Sequence, residues 1–549
     1  MSLRLKNTYS KRVEQFVPRD SGPVTIYTCG PTVYSDSHIG NFRSFLMADV
    51  LRRVLEQRGY KVRHVMNITD VGHLTEDHLA DSTGEDKLAR AARALGRDPY
   101  ELARHYEQSF ARDARALRIR SYLDSEADDP DLHPRATEHI PEMLALIQRL
   151  LERGYAYADG QGQIYFAVER FPQYGRLSGK VLEQLLPGAR VAPREHKRDP
   201  RDFALWKVDP KHLMRWDPHS PRGWSEAAYA RLRELLPEGV SPQLATGFPG
   251  WHIECSAMAR ARLGAQIDIH TGGEDTIFPH HECEIAQSYG ARDDDSAPLS
   301  FSRYWLHARH LLVNGAKMSK RDGSLITIKA LLEGQPHALG AELERAGFPG
   351  GRIAPATLRL ALISLPFTQP MSFSADVLVQ AHVLAERTQA LYSRLQHVRA
   401  GRARSRELES LFTDATLQLD QALDDNLDMQ RALQALQRVV AAAARDDLSQ
   451  PDAELVLRFL SEADAVLDIL PEADESGLLL HSELEQRAHH VEEPPAGPLD
   501  AERIAQLLAA RFAARSGRDY ARADAIRQGL AQHGVSIEDT AQGVRWRRV

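Results

Sequence analysis

Apolar positions first gather in a short run, Val24–Thr28, rich in β-formers and stopped by Cys29-Gly30-Pro31. The spacing then changes. Over residues 43–59, Leu46, Val50, Leu51, Val54 and Leu55 recur at helical intervals, and Gly59 marks the stop. Residues 62–69 return to a strand-like pattern. Strand, helix, strand in that order predicts a βαβ unit, hence parallel pairing with a right-handed crossover. No GxGxxG accompanies it, which speaks against a dinucleotide-binding turn.

Beyond this unit, residues 75–155 read as mostly helical. Residues 156–250 are irregular and rich in Pro, Gly and Trp, as expected of an insertion interrupting a sheet. Residues 267–270 form another short strand pattern before Thr271-Gly272-Gly273, and a helix is predicted over about 279–289. Residues 334–355, with five Gly and three Pro, look like loop. Residues 375–470 are helical throughout, in the manner of a bundle. EEPPAGP at 492–498 reads as a linker. After it come a helix or two and two strand-like runs, 535–538 and 544–546.

At 549 residues the chain is too long for one core, and ~100–200 residues per domain implies three to five. No apolar run approaches the ~20 residues that span a bilayer, and the N-terminus lacks a secretory apolar stretch. A cytoplasmic protein without a membrane partner is the expectation. Three cysteines cannot form a disulfide framework. The net charge of −7 argues against general nucleic-acid binding, but it is unevenly spread. From residue 502 to the end, nine Arg face five acids, so a tail of +4 follows a body of −11. A basic tail on an acidic body suits a local polyanion contact, or simply a solvated helix face.

Two elements carry candidate chemistry. His38-Ile39-Gly40-Asn41 lies between the first strand and its helix, where backbone N–H groups can hold phosphate. Lys317-Met318-Ser319-Lys320-Arg321 lies far downstream, in a chain with only 11 Lys against 58 Arg, and could close on a polyphosphate. Alone, each is an ordinary loop. As an ordered pair they resemble the signatures of the class I aminoacyl-tRNA synthetases. Residues 27–34 (YTCGPTVY), Asn67-Ile68-Thr69-Asp70, Trp251-His252-Ile253-Glu254-Cys255-Ser256 and Phe278-Pro279-His280-His281-Glu282 resemble the cysteinyl-tRNA synthetases in particular. So do Lys197-Arg198, Asp202-Phe203, Leu205-Trp206-Lys207 and residues 543–548, and the likeness runs from about residue 3 to 549. Two departures stand out: Asn41 replaces the frequent second His of the first signature, and Arg321 replaces the usual Ser after the second.

The resemblance implies an α/β fold: a Rossmann-like parallel-sheet catalytic domain (1–310) with an insertion at roughly 100–250, a KMSK and stem-contact region (311–375), a helical bundle (376–490) and a small anticodon-binding domain (499–549). It implies a monomer that uses L-cysteine, ATP with Mg2+, and tRNA(Cys). His38, Lys317 and Lys320 would be catalytic. ATP would meet His38, Gly40, Asn41, Gly272, Gly273, Asp275, Lys317 and Lys320. Cys29, Thr69 and Trp251 would surround the amino acid, and Asp539, Arg545, Trp546 and Arg547 would meet tRNA, with Trp546 as a stacking surface.

Cys29, Cys255, His280 and Glu284 are ligand types that zinc accepts. His280 and Glu284 are four apart on a predicted helix and share a face. By residue type alone Cys283 is a rival ligand; the resemblance favours Glu284. A metal has a physical purpose here. An apolar pocket separates cysteine from serine by only ~10–200-fold, whereas zinc takes a thiol as thiolate and an alkanol poorly. Two other readings share these features: a ligase that passes activated cysteine to an amino sugar, and a catalytically silent synthetase-like regulatory protein.

Overall fold

Four parallel strands make the central sheet, in the order Ser302–Ala308, Ile267–Gly273, Val24–Thr28, Val62–Met66. They belong to a computed structural model that describes residues 2–76, 83–125, 129–180, 197–293, 298, 300–318, 324–398, 403–445, 447–471, 476–480, 484, 499–539 and 543–548. The expected βαβ unit is present, with the helix Ile39–Gln57 linking the two strands. This helix starts four residues before the predicted range because His38 caps it. Val24–Thr28 pairs with Val62–Met66 on one side and with Ile267–Gly273 on the other. The chain therefore leaves the two central strands in opposite directions. Open α/β sheets place ligand sites in the crevice at such a reversal, and Cys29 directly follows the first of these strands.

The segment read as irregular, 156–250, contains order that the apolar pattern hides. Ala156–Ala158, Ile164–Phe166, Phe203–Lys207 and Phe248–Pro249 form an antiparallel sheet in chain order, and Glu226–Leu235 is a helix. Strands of two to five residues are too short to show a period of two. Motif residues hold this sheet together. Asp202 accepts from the Tyr157 hydroxyl at 2.7 Å and from the Val168 N–H at 2.9 Å, and Arg198 stacks over the Tyr157 ring at 4.1 Å. The Gly- and Pro-rich stretch 334–355 is likewise not bare loop: it holds a short helix, Gly340–Arg345, and a 3-10 turn, Pro349–Gly351.

The chain divides into two compact units. One comprises Met1–Pro355, Ala361–Leu378 and Asp420–Ala432; the other comprises Ala356–Leu360, Val379–Leu419 and Leu433–Val549. The bundle helices are Ala375–Leu395, Arg406–Asp424, Met429–Ala442 and Gln450–Leu467. In the second unit, helices Ala501–Ser516 and Tyr520–Gln532 precede the strands Val535–Asp539 and Gly543–Arg548. A third strand, Ser476–Leu480, pairs with Gly543–Arg548 and makes it the centre of a three-stranded antiparallel sheet.

Alternation along that central strand turns Val544 and Trp546 inward, against Ile504, Leu508 and Leu530. Trp546 is only 4% exposed. The expectation of a stacking surface at Trp546 is therefore corrected: its large apolar ring fills the core of a small unit that has few other aromatic residues to do so. The 492–498 linker, Ser319, Lys320, Arg321 and the side chain of Arg547 lie outside the described residues.

Candidate active site

A cavity of about 620 Å³ opens at the strand reversal. Cys29, Gly40, Asn41, Thr69, Trp251, Cys255, Gly273, Asp275, His280 and Lys317 line it, together with His38. Gly272 sits one residue back, against Thr276 and His281.

His38 is the N-cap of Ile39–Gln57. Its Nδ1 accepts from the N–H groups of Gly40 (3.1 Å) and Asn41 (3.3 Å), and the Asn41 side-chain oxygen accepts in return from the His38 N–H (3.2 Å). This reciprocal cap explains how Asn41 serves where a second His is frequent: the position needs a short acceptor, not a charge. With Nδ1 occupied as an acceptor, the proton of a neutral ring is assigned to Nε2, which becomes the donor. Gly40 allows close approach, since a Cβ there would lie 3.0 Å from the His38 ring and 3.1 Å from Met318 Cε, and one of these side chains would have to shift.

Lys317 reaches the cavity on a hairpin. Leu311–Val313 pairs with Ala316–Lys317 across Asn314 (φ 48) and Gly315 (φ 79). Two positive-φ central residues make the type I′ turn that Asn-Gly favours. The Lys317 side chain is exposed at its end.

Beneath lies a buried donor cluster. Cys29 Sγ is 3.7 Å from Cys255 Sγ and 3.7 Å from Glu284 Oε1, and His280 Nε2 is 3.2 Å from the same oxygen. A tetrahedral zinc with ordinary bond lengths would separate its ligands by about 3.8 Å (S···S), 3.6 Å (S···O) and 3.3 Å (N···O). These three separations match a tetrahedral ion, and all four donor atoms lie within 4.8 Å of one another. Three devices supply the four donors: Cys29 from a strand end, Cys255 from the Trp251–Leu263 helix, and His280 with Glu284 from one face four residues apart. Cys283 points elsewhere and meets the Tyr174 hydroxyl at 3.2 Å, so the structure removes it as a rival ligand.

The electrostatics agree with that fit. Burial, then Cys255 and Glu284, push the Cys29 thiol well up, and burial raises Cys255. Burial, then neighbouring imidazoles led by His252, push His280 well down. Burial thus works against the charged forms of Cys29, Cys255 and His280, and a cation is what would favour the thiolates.

Sequence reasoning missed several neighbours. His281 Nε2 lies 3.2 Å from Cys29 Sγ, and His270 Nε2 lies 3.1 Å from Glu284 Oε2. With Cys29 and Glu284 they form a second possible ligand set. Asn67 ties the cluster to the wall: its carbonyl oxygen accepts from the Gly30 N–H (3.0 Å) and its amide donates to the Thr69 hydroxyl (3.1 Å). The adjacent His280-His281 pair was a visible signal; His270 and Asn67 carried none beyond their motifs.

Comparison with known proteins fits this geometry. A family model described as tRNA synthetases class I (C) catalytic domain matches residues 15–228 and 237–343, and one described as Cysteinyl-tRNA ligase anticodon binding domain matches 499–547. A Cysteine--tRNA ligase of Thermus thermophilus is 40% identical, covering 100% of this chain and 99% of its own. That of Salinibacter ruber is 39% identical over 100% and 98%. Among solved structures, a LeuRS from Agrobacterium radiobacter in a ternary complex with tRNA aligns with TM-score 0.53 at 12% identity, covering 83% of this chain and 85% of that one; this is likeness of fold. With a catalytic-domain match over more than half its length and relatives above 30% identity from end to end, the chain belongs to the cysteine-tRNA ligase family of class I aminoacyl-tRNA synthetases.

Proposed function

We propose that Cys29, Cys255, His280 and Glu284 hold a zinc ion in this pocket, and that His38, Lys317 and Lys320 meet the phosphates of ATP. The activity is that of a cysteine-tRNA ligase: cysteine and ATP give cysteinyl-adenylate and pyrophosphate, and the cysteinyl group then passes to the 3′ end of tRNA. The observation that carries the residue assignment is the cluster of four donors within 4.8 Å of one another, at the cavity that also holds a helix N-terminus and Lys317. When bound, zinc would take the substrate sulfur as thiolate, either beside the four protein donors or by loosening Glu284, and so would separate cysteine from serine by bond chemistry.

The chain's own groups do the rest. Thr69 and Trp251 wall the amino acid. The cysteine carboxylate is already a nucleophile for the α-phosphorus, so no base is needed and positioning with charge stabilisation supplies the acceleration. The His38 Nε2–H, the helix N-terminus with Gly40 and Asn41, and the ammonium groups of Lys317 and Lys320 are assigned to that charge, with Mg2+ entering on ATP. Gly272, Gly273 and Asp275 are assigned to the nucleoside. Asp539, Arg545 and Arg547 are assigned to tRNA, within the segment that matches an anticodon-binding family. We assign the chain to the cytoplasm as a monomer divided as the sequence suggests, at 1–310, 311–375, 376–490 and 499–549. No helix among the described residues is long and apolar enough to cross a membrane.

Cysteine-dependent ATP–pyrophosphate exchange, followed by charging of a tRNA(Cys) transcript, tests the reading. Both are expected. Exchange without charging would move the chain to the amino-sugar ligases, and the absence of both would leave a silent binding protein.

A further inference from the structure

Trp251 stands between two imidazoles. Its ring is stacked on His73 at 4.4 Å between centroids and 13° between planes, and on His280 at 4.5 Å and 24°. His280 belongs to the proposed metal set; His73 belongs to no motif. Yet His73 is held as firmly as a ligand would be. Lys87 Nζ lies 3.1 Å from its Nε2, and Thr32 Oγ1 lies 3.1 Å from its Nδ1. An ammonium only donates, so His73 Nε2 accepts and Nδ1–H donates to the threonine oxygen. Both edges of the ring are thereby fixed, and only its faces remain for contact. Tyr34 stands edge-on to the same ring at 6.4 Å, with Lys87 5.6 Å from the tyrosine centroid. Thr32, Tyr34, His73, Lys87 and Trp251 all line the cavity.

The backbone explains how a loop residue reaches this place. Gly72 has φ 78, and a Cβ there would lie 2.4 Å from Glu254 Oε1 and 3.0 Å from the Pro249 carbonyl. The turn can therefore lie directly on the first turn of the Trp251–Leu263 helix, which brings His73 onto the indole.

We infer that His73 is a positioning residue for the amino-acid pocket: clamped by Lys87 and Thr32, it holds the Trp251 wall flat between itself and His280. A free indole has two χ angles to settle when the amino acid enters. A stacked indole has settled them beforehand, so the benefit falls on amino-acid binding and not on the phosphate chemistry. The inference builds on the reading that cysteine binds beside Trp251.

Pyrophosphate exchange on the full chain tests it, with the metal content of each variant measured alongside. His73→Ala should raise the KM for cysteine by about three- to tenfold, the range of an aromatic pair, while kcat, the KM for ATP and the metal content stay within twofold. His73→Phe keeps the stacking face and loses both clamping hydrogen bonds; its cysteine KM should fall between those of the parent and the Ala variant. If Ala at this position prevents folding, His73→Leu replaces it, with similar volume and no aromatic face. A cysteine KM unchanged in the Ala or Leu variant overturns the inference. So does a Phe variant as impaired as the Ala variant, or a loss of metal or of ATP affinity in step with cysteine. Parent protein that exchanges without cysteine would instead overturn the underlying reading of the pocket.

Discussion

The pocket at the strand reversal and the C-terminal three-stranded sheet use polar residues in opposite ways. In the pocket, burial leaves the Cys29 and Cys255 thiols raised and the His280 imidazole lowered, with no protein cation among them. Nearby, His270 Nδ1 and both carboxyl oxygens of Glu254 are buried without a hydrogen-bond partner. In the C-terminal sheet, charges answer one another. Arg511 grips Asp539 through two bonds, 2.7 and 2.8 Å, and Arg515 adds a third. Glu538 and Arg545 are register partners 3.1 Å apart. Buried polar groups left unmatched beside a donor cluster mark a place built around something else, whereas the paired charges of the C-terminal sheet are half-exposed (Asp539 44%, Glu538 67%) and bear first on their own unit. Substitutions in the pocket should therefore damage chemistry more than stability, and substitutions in the sheet should do the reverse.

Cys255→Ala is expected to have the largest effect. Loss of a neighbour to a ligand already costs about 10–100-fold in metal affinity, so loss of a ligand should abolish stoichiometric metal and cut cysteine-dependent exchange by about 10³-fold or more. Elemental analysis and exchange kinetics check this; a thermal midpoint that collapses while metal remains would break the contrast. Trp546→Ala should do the opposite, destabilising the second unit by about 3–5 kcal/mol as a large core truncation while pyrophosphate exchange stays within twofold. Urea unfolding alongside exchange separates the two effects.

Lys317→Ala should lower the exchange rate by about 10²-fold, as for loss of one charge-stabilising group, with cysteine affinity nearly unchanged. An unchanged rate removes Lys317 from the mechanism. The smallest effect concerns Asp539, whose carboxylate the Arg511 hydrogen bonds hold down to about 2. Its stabilising contribution is complete above the unfolded value of about 3.9 and disappears as pH falls through about 2. The difference in urea midpoint between the parent and Asp539→Asn should therefore narrow as pH drops from about 4 to 2. A constant difference would show that the pair does not act through charge.

What the sequence revealed follows the same contrast. The pocket was legible because its residues sit in motifs with specific chemistry: Cys29, His38, Trp251, Cys255, His280, Glu284 and Lys317 come from five separate segments, and the structure gathers them in or beneath one cavity. The βαβ unit was legible because the apolar helical pattern from Leu46 to Leu55 is long enough to show its period. The antiparallel sheet within 156–250 was not, since its strands are two to five residues long and pair across intervals of up to some forty residues. Trp546 was misread for a related reason. It sits among Arg545, Arg547 and Arg548, and local composition suggested a basic stacking face; the two-residue alternation of the expected strand, which Ser476–Leu480 makes central, turns it into the core instead. His73 carried no signal, because stacking between segments far apart in the chain leaves no local pattern.

On this reading, Cys29, Cys255, His280 and Glu284 hold an ion that selects the substrate by its sulfur. Zinc per chain, measured together with the ratio of cysteine- to serine-dependent exchange before and after chelation, tests it most directly. One zinc per chain is predicted, with a cysteine preference above the ~200-fold limit of a bare pocket that falls on chelation and returns when zinc is restored. Protein that holds no stoichiometric metal and still prefers cysteine to that degree would contradict it.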